Sequence, residues 1–475
     1  MPGQRIYVVN SVSLIPALQR QIKTIAFAPI EAQAAATVMG VGPSGNAIIG
    51  SDRMLEDGSY LSTFVPSIQP ALGPGPGLDA INGSATRYIA DSLEFLNSKS
   101  PKTLELFSWI RGELFMATTE SICGPQNPFR DSALEKAWYY VKSLHCLLSS
   151  VYWMLKYPLT RILNSNFEPG IMIHMLKAWP GIMARKSLHA REHLLIPAFE
   201  KYFAEDGHRK GSLLVQCRYN HNIGHGLQGR DVAATEIGQM VASLTNSMAS
   251  AFWMVYHIFS DPTVLKECRE EVEQLVQVTK DGTCAVDLTK VKSSCPILLS
   301  TGQETLRYSH IGIAARTVME DTMLANQYLL KKGATVMTVT PVQHTEEALW
   351  GPTVSSFDHH RFLREPGRKR TNPVAFRAFG GGTVLCPGRH FVSTEVMSFT
   401  ALLLLRFDLR PATQDGKWAK PRKNFPMTSS MPTPKDEVQV EIVPRDKPGR
   451  KWHVTFSASG KGVEITAEDE NKGDS

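Results

Sequence analysis

One cysteine stands apart from the other six in this chain. In Phe379-Gly-Gly-Gly-Thr-Val-Leu-Cys-Pro-Gly-Arg389 it follows three glycines and directly precedes a stretch with a helical pattern. Cys386 would then sit at a helix N-terminus, where backbone N–H groups and the positive end of the helix dipole favour a thiolate over a thiol. Pro387 suits a first helical turn because it has no N–H to leave unpaired. Gly380, Gly381, Gly382 and Gly388 remove side chains where a flat group must approach the backbone, and some can adopt positive φ. The segment is built to present a charged sulfur to something planar. The plainer reading is a glycine-rich turn ahead of a helix that buries an ordinary cysteine, so the rest of the chain has to decide.

A second pattern is Glu304-Thr-Leu-Arg307, with acid and base at i and i+3 and therefore on one face of a helix expected over Pro296 to Ser309. The same spacing recurs at Glu365-Pro-Gly-Arg368, where Pro and Gly rule a helix out. A third is Ala242-Ser-Leu-Thr-Asn-Ser-Met-Ala-Ser-Ala-Phe-Trp253, small polar residues inside the long uncharged run Met240 to Phe259. That run could span a bilayer by length, but Ser243, Thr245, Asn246, Ser247, Ser250 and His257 make a buried core helix the better fit.

These three segments need a scaffold, and the 475 residues supply one, with 43% hydrophobic and 20% charged side chains, as in ordinary globular proteins with a large core. The chain is expected to open on a strand at Arg5 to Val9 and a helix from Ile15 capped by Ser13. A mostly helical stretch runs from about Ala80 to Phe259, with breaks at Gly124-Pro-Gln-Asn-Pro128, Pro169-Gly170 and Pro180-Gly181. An amphipathic surface helix follows at Pro262 to Leu275, short strands at Thr317 to Thr340, and an irregular stretch from Ala348 to Leu385 whose length marks a functional loop. Arg389 to Phe407 reads as a buried helix. The expected fold class is mainly α with a small β part, one domain over residues 1–463 and an acidic, disordered tail over 464–475.

The net charge of +6 is spread along the chain, so nucleic acid is not an expected partner, while a mildly basic surface suits peripheral contact with an anionic membrane or an acidic electron-donor protein. The seven cysteines show no CxxC pair and no regular spacing, which supports neither a disulfide framework nor a zinc ribbon and points to a reducing compartment.

The spacing Phe-x-x-Gly-x-x-x-Cys-x-Gly around Cys386 resembles the haem-binding motif of the cytochrome P450 family. Within that family the chain looks most similar to the sterol 7α-hydroxylase and prostacyclin synthase branch and its filamentous-fungus relatives, through Cys386-Pro-Gly-Arg389 and Asn246-Ser247 followed by Phe252-Trp253. The resemblance implies the P450 fold, with haem (iron protoporphyrin IX) between a long distal helix and the cysteine loop. It implies that Cys386 is the axial iron ligand, whose thiolate pushes electron density onto the metal and promotes cleavage of the O–O bond. Phe379, Gly382 and Gly388 would flank the cofactor, and Arg316 matches an arginine that reaches a haem propionate. The family also places a Phe-x-x-x-Arg-Phe segment between its Glu-x-x-Arg and its cysteine. Here Phe357-Asp-His-His-Arg-Phe362 occupies that place, so Glu304, Arg307 and Arg361 would form a buried structural triad.

Departures matter too. The common Ala-Gly-x-Asp/Glu-Thr pattern, whose acid and hydroxyl relay protons, is replaced by Asn246 and Ser247, as in the sterol-hydroxylase branch, and a serine hydroxyl could serve as donor. The basic residue often found two places before the cysteine is Val384, and no Trp-x-x-x-Arg stands near Arg87, which leaves a second propionate partner unidentified. The implied function is a monooxygenase that uses O2 and electrons from an NADPH-dependent reductase to hydroxylate or epoxidise a small lipophilic compound of secondary metabolism. A reductase-independent isomerase and a non-catalytic haem-binding protein are the alternatives. Eukaryotic members usually carry an N-terminal anchor helix, whereas this sequence opens near the first strand. The expected location is the cytosolic face of the endoplasmic reticulum membrane if an anchor is missing from this start, and otherwise the cytoplasm.

Overall fold

The structure is a computed structural model that describes residues 5–97, 102–141, 185–364, 373–426, 429–445 and 450–458. The 464–475 tail, the end of the expected domain at 463, and the breaks at Pro169-Gly170 and Pro180-Gly181 lie outside the described residues. The strands and helices that position the site are labelled in chain order: β1 (Ile6–Val8), β2 (Ile25–Ala26), α1 (Ala28–Ala34), α2 (Tyr60–Leu72), α3 (Leu106–Cys123), α4 (Gly229–Phe259), α5 (Pro262–Glu273), α6 (Pro296–Ser309), β3 (Ile313–Val318), β4 (Thr335–Val339) and α7 (Arg389–Arg406).

The fold is mainly helical with small sheets. At its centre runs α4, which packs against α3, α5, α6 and α7. Leu244, Met248, Phe252, Val255 and Ile258 are fully buried on it, and each such side chain contributes roughly 1.5–3 kcal/mol through burial. The Met240 to Phe259 run is thus the C-terminal two-thirds of a core helix, and no helix among the described residues is long and apolar enough to cross a membrane. Helix α7 is also buried nearly all round, which its Leu402-Leu-Leu-Leu405 run foreshadows.

The main sheet has the order β1-β4-β3-β2, with β1 parallel to β4 and the other pairs antiparallel. It joins the N-terminal strands to the segment after α6. Three expectations need correction. Ser13 does not cap the first helix, because its hydroxyl pairs with Ser11 Oγ and no side chain caps Leu14. A strand, Lys102–Glu105, interrupts the helical middle because it pairs with Gln439–Pro444, a partner more than three hundred residues away. The strand region starts at Ile313 and turns at Ala325 and Asn326, both with positive φ, before the turn at Lys331-Lys-Gly333.

Candidate functional site

The cysteine loop is held by its own backbone. Cys386 N–H donates to Phe379 O at 2.8 Å and Leu385 N–H to Gly382 O at 3.1 Å, while Gly388 stands at the N-cap of α7. Gly380 has φ +81°, and a Cβ there would come within 2.5 Å of Val384 O, so this position admits glycine alone. Cys386 is half-buried. Burial pushes its thiol up from the ordinary value, while the Gly388 N–H, the Arg389 charge and the Arg389 N–H pull the other way. Those opposing groups are the helix-end donors that the sequence places there. Phe379 and Gly388 lie beside the sulfur in the loop; Gly382, with φ +60°, faces Gln19 instead.

Below this loop, Glu304 joins two arginines. Arg307 Nε and Nη2 donate to the two Glu304 oxygens, each at 2.7 Å, and Arg361 Nε donates to the same oxygens at 3.2 and 3.1 Å. The remaining guanidinium donors go to carbonyls: Arg307 Nη1 to His344, Arg361 Nη1 to Trp350 and Arg361 Nη2 to Thr353. All three side chains are buried. Next to Arg361, His359 and His360 both contact Glu267 Oε2, at 2.8 and 2.5 Å, which ties the segment to α5.

Two histidines that carried no signal in the sequence link this triad to the cysteine loop. His344 Nδ1 donates to Arg307 O at 3.1 Å, and its Nε2 accepts from Arg377 N–H at 3.1 Å. His310 Nδ1 accepts from Gly312 N–H at 3.0 Å and its Nε2 donates to Ala378 O at 3.1 Å. Each ring has one donor and one acceptor partner, which sets the neutral tautomer.

Arg316 lies on β3, buried, with Nη2 lacking any hydrogen-bond partner among the described residues. Its pKa is pushed down to about 10 by burial first and by the charge of Arg377 second. Two buried guanidinium groups thus repel one another beside the loop, an arrangement that an anion would reverse in sign. Arg377 was missed in the sequence, where nothing distinguishes it from any other arginine.

On α4, Gln239, Ala242, Ser243 and Asn246 keep accessible surface, as does Gly238, while the other positions from 231 to 250 are buried. The i, i+3, i+4, i+7 spacing of Gln239, Ala242, Ser243 and Asn246 is one face of the helix, so this face is left open rather than packed. Asn246 belongs to that face, and its Oδ1 accepts from Ser430 N–H at 2.8 Å and Met431 N–H at 3.3 Å. Ser247 does not. It is buried, and its hydroxyl donates to Ser243 O at 3.1 Å. The two residues adjacent in sequence are therefore not brought together at one surface. A cavity of about 410 Å3 continues from this face and is lined by Phe27, Ile30, Glu31, Tyr60, Phe64 and Gln239 among others.

The model of the cytochrome P450 family matches residues 157–440. A cytochrome P450 monooxygenase of Hypoxylon pulicicidum, nodJ, is 33% identical over 93% of this chain and 81% of its own length. The chain belongs to the cytochrome P450 family. A P450 monooxygenase of Gibberella zeae is 27% identical over 76% of this chain and 66% of that relative, and rat cytochrome P450 7A1 is 28% identical over 37% of this chain and 38% of its own. Among solved structures, the cytochrome P450DA heme domain superposes with a TM-score of 0.68 over 95% of this chain and 90% of that one, at 16% identity, which establishes the P450 fold. The chain is a monooxygenase of the fungal P450 type, and haem is the cofactor of its family.

The residues present suit that cofactor. Haem carries two carboxylates, and the unpartnered Arg316 Nη2 beside Arg377 is a cationic niche in want of an anion. The Cys386 side chain is only half-buried and keeps accessible surface, as a metal ligand must.

The neutral histidines give this P450 a defined acid sensitivity. Burial pushes His310 down to about 4 and His344 well below its ordinary value, whereas an unfolded histidine titrates near about 6.5. Between those values the unfolded chain binds more protons, so stability falls as pH falls through the window. The urea midpoint is expected to drop between pH 7 and pH 5, and His310→Gln should flatten that slope. Equal slopes for the two proteins would contradict the assignment.

Proposed function

We propose that this P450 hydroxylates or epoxidises a small lipophilic compound of fungal secondary metabolism, with Cys386 as the axial haem ligand and Arg316 and Arg377 as partners of the haem carboxylates. The observation that carries the reading is the placement of Cys386: a residue whose backbone N–H is held by the Phe379 carbonyl and whose half-buried sulfur faces the Gly388 and Arg389 amides. Bound haem supplies reductive activation of O2, with one atom going to substrate, the other to water, and electrons arriving from an NADPH-dependent reductase. The chain's own residues do the rest. Glu304, Arg307 and Arg361 hold the loop, and His344 and His310 fasten it to α6 and to the start of β3.

Asn246 lines the substrate side in this proposal and fixes the Ser430 turn against α4. Ser247, buried behind it with its hydroxyl on the Ser243 carbonyl, acts on proton delivery through that helical turn. Support for the substrate class comes from the apolar wall of the adjoining cavity and from the similarity, over 93% of this chain, to a P450 monooxygenase of Hypoxylon pulicicidum.

The test is turnover of a terpenoid, alkaloid and polyketide library by the purified protein with a P450 reductase under labelled O2. One labelled oxygen in a product formed only with NADPH is the expected result. A rearranged product formed without NADPH or reductase would replace this reading by that of an isomerase, and a haem-loaded protein that converts nothing in the library would replace it by that of a binding protein.

A further inference from the structure

The cavity beside α4 contains one ionisable group that nothing else in the structure uses. Glu31, on α1, lines it together with Phe27, Ile30, Leu61 and Phe64. Its carboxyl makes no hydrogen bond and no ion pair among the described residues, and no Lys, Arg or His belongs to the cavity lining. The neighbouring polar groups are otherwise engaged. Tyr60 Oη donates to Asn222 Oδ1 at 2.6 Å and Thr235 Oγ1 to Val232 O at 2.7 Å. Glu31 itself is half-buried, and Ser429 Oγ is buried without a partner among the described residues.

A carboxylate in apolar surroundings without a partner is unfavourable, and burial accordingly pushes Glu31 up to about 7. Near neutral pH the group is poised between its two forms, and a cation beside it would hold it ionised. The cavity reaches residues that adjoin the candidate site. Gln239, on the open face of α4, lines it, as do Ala315, next to Arg316, and Ser430, whose amide binds Asn246. Glu31 thus lines the same cavity as Gln239 of α4.

The charge of the group decides which substrate chemistry it fits. For an alcohol or a carbonyl, Gln239, Ser429 and Ser430 already offer neutral donors and acceptors in the same cavity. A carboxyl adds what they lack, a partner for positive charge. We propose that Glu31 is a specificity-determining residue, and that the cavity selects lipophilic compounds carrying a cationic nitrogen over alcohols or acids of the same shape. This rests on the P450 reading in one respect, that the bound compound is a substrate.

The experiment uses three adamantane probes of one size on the purified holoenzyme at neutral pH: the trimethyladamantylammonium ion, adamantylmethanol and adamantanecarboxylate. The quaternary nitrogen has no lone pair and cannot ligate iron. Calorimetric titration should show the ammonium bound at least about tenfold more tightly than the alcohol, as a charge-assisted contact predicts. Glu31→Gln should erase that preference and leave the alcohol's affinity within about twofold, while Glu31→Asp should retain part of it. Equal affinities in the wild type, or a preference unchanged in Glu31→Gln, would overturn the inference. Calorimetry reads binding and the Soret band of the same sample reads haem, so the two claims fail separately. A haem-free protein that keeps the Glu31-dependent preference sinks the P450 chemistry alone, and a haem-loaded protein without the preference sinks this inference alone.

Discussion

Glu304→Gln should lower the unfolding free energy by about 3–5 kcal/mol, the cost of breaking a buried ion pair from one side. The carboxylate is the shared acceptor of Arg307 and Arg361 and also accepts from Asp358 N–H at 3.1 Å. An amide offers one oxygen and places an NH2 against a guanidinium, so two buried cations lose their counter-charge together. The damage should travel. Arg307 and His344 bond reciprocally, and His344 receives the Arg377 amide two residues before Phe379, so loosening Glu304 loosens the cysteine loop. Urea unfolding of the holoenzyme measures the stability, and haem loss at sub-denaturing urea measures the loop. Asp436→Asn is the control, because Asp436 and Arg422 form an equally short pair on the surface, where solvent screens it and no shift in the midpoint is expected.

Arg316→Met should act with opposite signs on the two forms of the protein. In the haem-free chain its guanidinium is buried, has an unpartnered nitrogen and is repelled by Arg377. Replacing it by an apolar side chain of similar length removes an unfavourable charge, and the melting temperature of the apoprotein should rise. In the holoenzyme the same change deletes a charge-assisted hydrogen bond to a haem carboxylate, worth about 1.5–3 kcal/mol, so haem affinity should fall about 10- to 100-fold. Transfer of haem to an excess of a scavenger protein measures the second effect and melting of the apoprotein the first. Destabilisation of both forms would mean that Arg316 is a structural residue with a partner in the fold.

Much of this was legible because the signals are local. The bounds of α6 agree with the sequence reading and those of α7 within a residue, since proline opens one and glycine precedes the other. Cys386 and the Glu304 spacing are visible for the same reason: loop, cap and helix face are written in consecutive residues. What stayed hidden depends on long-range contact. The Lys102–Glu105 strand has no meaning without Gln439–Pro444, and His310, His344 and Arg377 look like unremarkable polar residues until β3, α6 and the cysteine loop converge on them. Asn246 and Ser247 were read as a pair because they stand where the family's acid and threonine would be, yet one helical step of 100° puts one on the open face and the other in the core. Glu31, in Ala28-Pro-Ile-Glu31, drew no attention in the sequence; only the structure places it on the cavity wall.

The most direct measurement is the absorption spectrum of the reduced, carbon-monoxide-bound protein, wild type against Cys386→Ser. A thiolate ligand on the haem iron would shift the Soret band of the carbon-monoxide complex far to the red, so the wild type should show that band and the variant should lose it while still taking up haem from hemin. Identical spectra from the two proteins, or a wild type that stays colourless after hemin reconstitution, would contradict ligation of iron by Cys386.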